Sequence, residues 1–209
     1  DSILYAPDLL TSEFARDLIA RVDPSAPQPV SAQVMESLAN KENPQGILAI
    51  VHQKQARLDE LPPFRMAVAI VSPQDPGNVG AILRTLDAVG GGVLFIIDGG
   101  VEPYHPTAVR ASMGTLFWKP LIRTSFSEFF AWTRNGNYQL IGTSAKAETD
   151  YRSLAPKVPW ILLLGNEQKG LSAAHLAACD VTVSLPMRGR VSSLNLAVSA
   201  GILLYALNE

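Results

Sequence analysis

The chain has 209 residues, of which 47% are hydrophobic and 17% charged, and its formal net charge is −2. This composition is typical of a soluble globular protein, and the length suits one large or two small domains. It excludes a uniformly basic surface of the kind that grips long stretches of nucleic acid. A nucleic-acid partner would therefore have to be held by a local basic patch.

The single cysteine, Cys179, rules out an intrachain disulfide and favours a reducing, cytoplasmic location. We interpret Cys179 as a small apolar residue packed in the interior. The three histidines are far apart in the sequence and show no metal-ligand spacing, so we predict no metal site. No signal peptide is visible, and no apolar run reaches the roughly 18 residues of a membrane span, which predicts no membrane partner.

The first 55 residues predict a small α/β module. Residues 3–6 form a candidate strand, and a helix follows with Thr11 or Ser12 as its cap. Prolines in residues 23–29 predict a loop, a second helix begins after Ser31, and a turn then leads into another strand. Helical spacing directs these apolar side chains toward the interior: Phe14, Leu18, Ile19, Val22, Val34, Met35 and Leu38.

A polar, proline-containing linker is predicted after this module, and long apolar runs begin after it. Apolar runs alternate with helical segments, which implies a parallel sheet with helices on both faces. The runs predicted as strands are RMAVAIVSP, GVLFIID, YQLIGTSA, WILLLGNE and VTVSLP. We divide the chain into a module at 1–55, a linker at 56–65 and a main domain at 66–209.

Four of these strands lead into loops that combine glycine or proline with a few polar groups: SPQDPGNVG, GTSA, LLGNEQKG and LPMRGR. Ligands of open parallel sheets bind beyond the carboxyl ends of the strands, so these loops form the candidate site. None of them has the glycine pattern of a dinucleotide fingerprint or a P-loop. This argues against nucleotide-phosphate binding.

The first of these loops opens a helix in which Asn78 is a good N-cap and Arg84 lies on the polar side. Arg84 is either a solvated surface residue or a site residue. The apolar positions of this helix form a buried stripe of Val79, Ile82, Leu83, Leu86 and Val89. In the third loop, Glu167 is interpreted as a first-turn carboxylate favoured by a helix dipole.

The last helix is apolar, but its first residues are polar: residues 192–195 are Ser-Ser-Leu-Asn. Ser192 or Ser193 can cap it, but neither explains Asn195 on a helix that is otherwise apolar. A buried amide needs hydrogen-bond partners, and Asn195 shares a face with Ser199. We predict that this face meets polar groups, another chain or a ligand.

Taken in order, three segments resemble the motifs of the SpoU (TrmH-like) RNA 2′-O-ribose methyltransferases of the SPOUT superfamily. They are PQDPGNVGAILRTLDAVG, LLLGNEQKGLS and SLPMRGRVSSLNLAVSAGILLYAL, and the resemblance spans residues 66–209. The earlier NPQGILAIV resembles the end of the L30e-like substrate-binding domain that many members carry. Residues 1–55 are short for that domain, so we expect its N-terminal portion to be missing.

The resemblance implies an α/β parallel-sheet domain with a C-terminal trefoil knot, acting as a homodimer with its active site near the subunit interface. It implies methyl transfer from S-adenosylmethionine to the 2′-OH of a ribose in structured RNA, with 23S-type rRNA favoured over tRNA. The catalytic residues that it implies are Arg84, Asn78, Glu167, Ser193 and Asn195. The cofactor-binding residues that it implies are Thr143, Leu164, Gly165, Leu185, Met187 and Leu194.

RNA binding requires a local basic surface on this acidic chain. The candidates are Arg84, Arg110, Arg188 and Arg190, with Lys119 and Arg123 as further possibilities. The family's arginine at the position of Arg84 is described as a base, but a guanidinium hardly ever loses its proton. A clamp on phosphate and on the developing oxyanion suits it better.

Two other functions stay open: a knotted RNA-binding dimer without turnover, and a flavodoxin-like or nucleotide-binding enzyme. The complete set of catalytic positions argues against the first, and the lack of phosphate-loop glycines argues against the second.

Overall fold

The structure, a computed structural model, describes residues 2–39, 43–54 and 56–208. The chain divides into two compact units, Asp1–Lys54 and Gln55–Glu209. In the first unit the elements are β1 (Ser2–Tyr5), α1 (Glu13–Arg21), β2 (Pro27–Pro29), α2 (Ala32–Ala39) and β3 (Ile47–Ile50).

The first unit is built on a three-stranded sheet in the order β2-β1-β3, with β1 parallel to β2 and antiparallel to β3. Strand β2 corrects the prediction of a loop over residues 23–29. Its two prolines are accommodated because β2 is an edge strand, where a missing N–H costs no ladder hydrogen bond. Helix α1 begins as predicted after Ser12, whose hydroxyl accepts from the Ala15 N–H at 3.3 Å.

The prediction of which side chains are buried in this unit is only partly right. Met35 is fully buried, but Phe14 is 76% exposed and Leu18 37% exposed, and Ala15 takes the inward position on α1. Two further predictions are wrong, because Val34 and Leu38 of α2 are also exposed. Strands of three and four residues give a sheet too small to cover a wide face of either helix.

The second unit contains a seven-stranded sheet in which every pairing is parallel. Its strands are β4 (Met66–Val71), β5 (Leu94–Ile97), β6 (Leu121–Thr124), β7 (Gln139–Thr143), β8 (Thr149–Asp150), β9 (Trp160–Leu164) and β10 (Val181–Ser184). Its helices are α3 (Pro76–Ala88), α4 (Pro106–Ala111), α5 (Phe126–Asn135), α6 (Ala173–Ala178) and α7 (Leu196–Ala206). The five predicted strands are confirmed, whereas β6 and β8 were not predicted.

Both faces of this sheet are covered, as the apolar runs predict. Successive residues of β4 alternate between two cores. Met66, Val68 and Ile70 pack in the core that contains side chains of α3 and α7. The intervening alanines and valine pack in the core that contains Phe129 of α5.

The segment predicted as a linker lies within the second unit. Leu58–Glu60 forms a single 3-10 turn. Apolar side chains of this segment pack against the core that contains Phe129, and they are Ala56, Leu58, Leu61 and Phe64. The segment therefore adds an outer layer to the second unit.

The strand order positions the candidate site. The sheet runs β6-β5-β4-β9-β7-β10-β8, so the four strands whose loops were singled out are consecutive neighbours. Because parallel strands have their carboxyl ends at one edge, the loops after β4, β9, β7 and β10 converge there. Across the described residues, every helix is too short or too polar to cross a bilayer.

Candidate active site

The loop between β4 and α3 positions Asn78. Asp75, not Asn78, is the N-cap of α3, because its carboxylate accepts from the Gly77 N–H at 2.7 Å. Pro76 follows at the first helical position, where its missing N–H costs nothing. The predicted cap is therefore wrong by three positions. Asn78 lies inside the first turn, only 6% exposed, and its amide is directed at other segments.

Glu167 supports the start of α3 and does not open a helix of its own. The predicted first-turn position is wrong, since α6 begins only at Ala173. The carboxylate instead accepts from the backbone N–H of Gln74 at 2.9 Å and of Asp75 at 3.3 Å. It also accepts from Nδ2 of Asn78 at 3.2 Å. A carboxylate at the positive end of α3 is electrostatically favourable.

Asn195 answers the question raised by the last helix. Its Oδ1 accepts from the N–H groups of Ala197 at 2.9 Å and Val198 at 3.2 Å, so Asn195 caps α7. The predicted Ser192 or Ser193 cap is wrong, and Asn195 is exposed, not buried. Its Nδ2 donates to Oδ1 of Asn78 at 2.9 Å. One chain of hydrogen bonds thus links Glu167, Asn78 and Asn195, which we call the amide–carboxylate cluster.

Asn166 is a positioning residue that the sequence did not single out. Its Nδ2 donates to the Ser72 carbonyl at 2.8 Å, across the sheet edge. Its Oδ1 accepts from the N–H groups of Gln168 and Lys169, which closes the turn around Glu167. The signal in the sequence is an asparagine directly after Gly165, since asparagine favours such turns.

Arg84 and Ser193 lie outside the cluster. Arg84 follows Asn78 by six positions on α3, which rotates it by about 120° around the helix. Both side chains belong to exposed residues, and among the described residues neither has a hydrogen bond or ion pair. The chain therefore brings together three of the five predicted catalytic residues.

Five of the six predicted cofactor residues lie at or just after the carboxyl ends of β9, β7 and β10, which are neighbours in the sheet, and the sixth, Leu194, directly precedes the cap of α7. Leu164 is buried, Leu185 and Met187 are half-buried, and Leu194 is 39% exposed. Thr143 donates its hydroxyl to the Leu163 carbonyl at 3.2 Å.

Loop 186–194 follows β10 and is mostly exposed. Within the described part of the chain, its backbone groups make no hydrogen bonds to protein. Apolar side chains beside exposed backbone donors and acceptors fit a nucleoside-containing cofactor that lacks phosphate groups. The described residues contain no cluster of three or more metal-ligating side chains.

The predicted RNA-contacting arginines are exposed. Arg110 lies in the last turn of α4, which packs closely on α3 at Gly80. Arg188 and Arg190 lie in the loop after β10. A side-chain hydrogen bond from Arg152 lowers the pKa of Asp150 to about 2, and the charge of Arg188 contributes less.

The further candidates are already paired with carboxylates. Nζ of Lys119 lies 3.0 Å from Oδ1 of Asp87. Arg123 lies 3.1 Å from Oε2 of Glu102. Among the described residues, no such carboxylate partner is found for Arg84, Arg110, Arg188 and Arg190. These four arginines are therefore better placed to bind phosphate.

A model of the SpoU rRNA Methylase family matches residues 65–205, which is more than half of the chain. The chain belongs to the SpoU rRNA methylase family. It is 34% identical to a 23S rRNA (uridine(2479)-2′-O)-methyltransferase of Streptomyces viridochromogenes, over 98% of this chain and 74% of the relative. It is 29% identical to the 23S rRNA (guanosine(2553)-2′-O)-methyltransferase RlmP of Bacillus subtilis, over 85% of this chain and 71% of the relative.

Solved structures of SpoU proteins have the same fold. The SpoU methyltransferase AviRb from Streptomyces viridochromogenes, in complex with AdoMet, matches with a TM-score of 0.89 and 32% identity, over 99% of this chain and 80% of that chain. The AdoMet-bound rRNA methyltransferase from Sinorhizobium meliloti matches with a TM-score of 0.87 and 30% identity, over 99% and 78%. The parallel-sheet α/β fold expected from the resemblance is confirmed.

Proposed function

We propose that this chain transfers a methyl group from S-adenosylmethionine to a ribose 2′-OH in structured RNA, with rRNA as the favoured substrate. The observation that carries this proposal is the amide–carboxylate cluster. Its three members come one from each motif, and they meet at the sheet edge where ligands of parallel sheets bind. Relatives named for rRNA 2′-O-methylation and AdoMet-bound neighbours support it.

The cluster would position the reacting ribose. S-adenosylmethionine supplies an activated methyl group, while the ribose hydroxyl is a poor nucleophile that must be aligned and stabilised as it loses its proton. Glu167 fixes the start of α3 and one side of the Asn78 amide. Asn195 fixes the other side of that amide. These two bonds hold the Asn78 amide in one orientation. A group that orients a substrate hydroxyl must be fixed in this way.

The cofactor would lie against the loops after β9, β7 and β10. Leu164, Leu185, Met187 and Leu194 would contribute apolar contacts, and Thr143 would line the pocket. Gly165 would offer backbone groups next to the turn that carries Glu167, together with those of loop 186–194.

Arg84 would clamp the phosphate beside the reacting ribose and stabilise the developing oxyanion, and Ser193 would complete the site. Because both lie apart from the cluster in one subunit, we propose that a second copy of the chain completes the site. Helix α7 has an exposed apolar stripe suited to such a homodimer. It consists of Val198, Ile202 and Tyr205, which are 50%, 37% and 59% exposed.

The two units would have separate roles in RNA binding and catalysis. We propose that residues 1–55 form an L30e-like RNA-binding domain, that 56–65 connect it, and that 66–209 form the catalytic domain with a C-terminal trefoil knot. The AdoMet-bound rRNA methyltransferase from Sinorhizobium meliloti matches 99% of this chain. A structure concerned with 2′-OH methylation of C/U34 on tRNA matches only 70% of it, at 30% identity and a TM-score of 0.63. This difference favours rRNA over tRNA, and rRNA as the substrate would imply a cytoplasmic location.

The direct experiment is transfer of a radiolabelled methyl group from S-adenosylmethionine to unmodified rRNA and, separately, to tRNA. We expect labelling of rRNA, an alkali-resistant linkage at the labelled nucleotide, and a reduced rate of labelling with Asn78→Ala. Labelling of tRNA alone would contradict the rRNA preference. Cofactor binding without transfer to either RNA would favour the non-catalytic RNA-binding dimer.

A further inference from the structure

Trp118 presents a fixed indole ring at the surface of the second unit. Trp118 is 56% exposed, whereas the other two tryptophans, Trp132 and Trp160, pack against the two cores. The indole Nε1 donates to Oδ1 of Asp87 at 3.3 Å. Gly114, at φ +92°, lies beside the ring, since a Cβ added there would come within 3.3 Å of Cζ3. The indole is thus held by a hydrogen bond and by the backbone next to it, while much of the side chain stays open.

Asp87 does not make this surface acidic. The oxygen that accepts the indole N–H also lies 3.0 Å from Nζ of Lys119. Lys119 donates in addition to the Gly91 carbonyl at 2.7 Å. The carboxylate is therefore neutralised by a held ammonium and would not repel a phosphate.

A groove of about 540 Å³ opens beside the indole, lined by residues 62–65, 90–92 and 118–120. Arg65 is exposed in this lining, and none of the lining residues is acidic. The groove combines an aromatic wall, a free guanidinium and a neutral, glycine-rich floor. Single-stranded nucleic acid is held by this combination, with bases stacked on aromatic rings and the backbone on cations.

The groove and the proposed active site lie at opposite edges of the sheet. Arg65, Gly92 and Pro120 of the groove come just before β4, β5 and β6, whereas the site lies at the carboxyl ends of the strands. Helix α3 spans the distance between them, because nine positions separate Asn78 in its first turn from Asp87 near its end, about 13 Å along the axis. Arg84 lies three positions before Asp87 and shares a helix face with it, so it would meet the backbone of a strand that also reaches Trp118.

We propose that Trp118 is a stacking platform for a nucleobase of the substrate RNA that lies several nucleotides away from the methylated one. This inference rests on the proposed function and assigns part of its RNA specificity to one residue. The platform reads the presence of a base, not its identity, because every base has a π-face. Arg65 contributes the charge that holds the neighbouring phosphate.

The test uses the full chain with two RNA probes, an oligoadenylate 12-mer and a 12-mer of the same length without bases. Dissociation constants are measured for the wild type, Trp118→Ala and Trp118→Phe. We expect the wild type to prefer oligoadenylate, and Trp118→Ala to reduce that preference by about fivefold or more. Trp118→Phe keeps an aromatic ring and should retain most of the preference. Tryptophan fluorescence of the wild type should be quenched by oligoadenylate and not by the abasic probe.

An unchanged preference in Trp118→Ala would overturn the proposal, as would a wild type that binds both probes equally. So would a shift of Trp118→Ala from dimer to monomer, since a second copy of the chain would then be the partner that covers the indole. Thermal melting of both variants shows that they are folded. Methyl transfer to rRNA by the wild type is measured separately. If no methyl transfer is measured while the preference for oligoadenylate still depends on Trp118, the proposed function is contradicted and the stacking site is supported.

Discussion

The amide–carboxylate cluster is joined by hydrogen bonds between three segments far apart in the sequence, whereas the site's arginines extend into solvent. Both groups belong to the same proposed site, but the fold alone organises only the first. The cluster is held together by bonds within one chain, so we expect its residues to contribute to stability as well as to activity. Arg84 makes no such bond among the described residues, and we expect it to contribute to activity alone. This difference gives separate predictions for the two groups.

The largest effect is expected for Glu167→Ala. The substitution leaves two backbone N–H groups and the Asn78 amide without their acceptor. Charge-assisted bonds of this kind are worth about 1.5–3 kcal/mol, so we expect the free energy of unfolding to fall by about 2 kcal/mol. Misplacement of Asn78 should reduce methyl transfer about a hundredfold. Chemical denaturation and kcat/KM measure the two effects, and Glu148→Ala, at an exposed glutamate of the same unit, should change neither.

Asn78→Asp should give a pH-dependent destabilisation. The new carboxylate would face Glu167, whose Oε1 lies 3.2 Å from the present Asn78 amide nitrogen. Two carboxylates at this distance raise one pKa of the pair in the folded state above its unfolded value. The pair is then tolerated at low pH and costs stability as the pH rises through that raised pKa. We expect a loss of about 1–3 kcal/mol at pH 8 and a smaller loss at pH 5. Asn78→Ala, with no second carboxylate, should show the same loss at both values, and a flat profile for Asn78→Asp would contradict the geometry.

Arg84→Lys should affect activity alone. Lysine keeps the charge and lacks the planar fork that a phosphate or oxyanion clamp requires. Because Arg84 is exposed and unpaired among the described residues, we expect the melting temperature to stay unchanged while kcat/KM falls at least about tenfold. Arg123→Lys, at an exposed arginine paired with Glu102, is the matched control and should retain full activity. Normal methyl transfer by Arg84→Lys would refute the assignment.

The smallest effect concerns Asp150, beside the loop that carries Arg188. The hydrogen bond from Arg152 holds the pKa of this carboxyl at about 2, below its usual 3.8. Its stabilising contribution is therefore complete above pH 3.8 and is lost as the pH falls through 2. In Arg152→Ala the pKa should return toward 3.8, whereas Arg188→Ala should leave it almost unchanged. NMR titration of the Asp150 side chain distinguishes the two, and a shift in Arg188→Ala as large as that in Arg152→Ala would contradict Arg152 as the main partner.

The contrast between the two groups also explains how far the sequence could lead. Strands β4, β5, β7 and β9 contain apolar runs, and burial on both faces makes such runs recognisable, whereas β10 was recognised from alternating valines. Strand β6 ends in Arg123 and Thr124, and β8 has only two residues, so neither has an apolar run to recognise. The order of the strands is a long-range property that local patterns do not contain.

The errors at the site have a common physical cause. Local preference favours Asn78 as one cap and Ser192 or Ser193 as the other, yet Asp75 and Asn195 are the caps. Asparagine, aspartate and serine are nearly equivalent at such positions, so distant partners decide between them. Glu167 is a clear example, because its backbone partners lie more than 90 positions earlier in the chain. Motif resemblance named these residues, but only the structure gives their hydrogen bonds.

The central claim is that Asn78 and Asn195 act as one unit that positions the reacting ribose. The most direct test is a double-mutant cycle on methyl transfer to rRNA with Asn78→Ala, Asn195→Ala and the double variant. Residues that work through a shared hydrogen bond give non-additive losses. The account predicts that the double variant loses little more activity than the worse single variant. Losses that multiply would show that the two amides act independently, and the cluster would then not be the positioning element of the site.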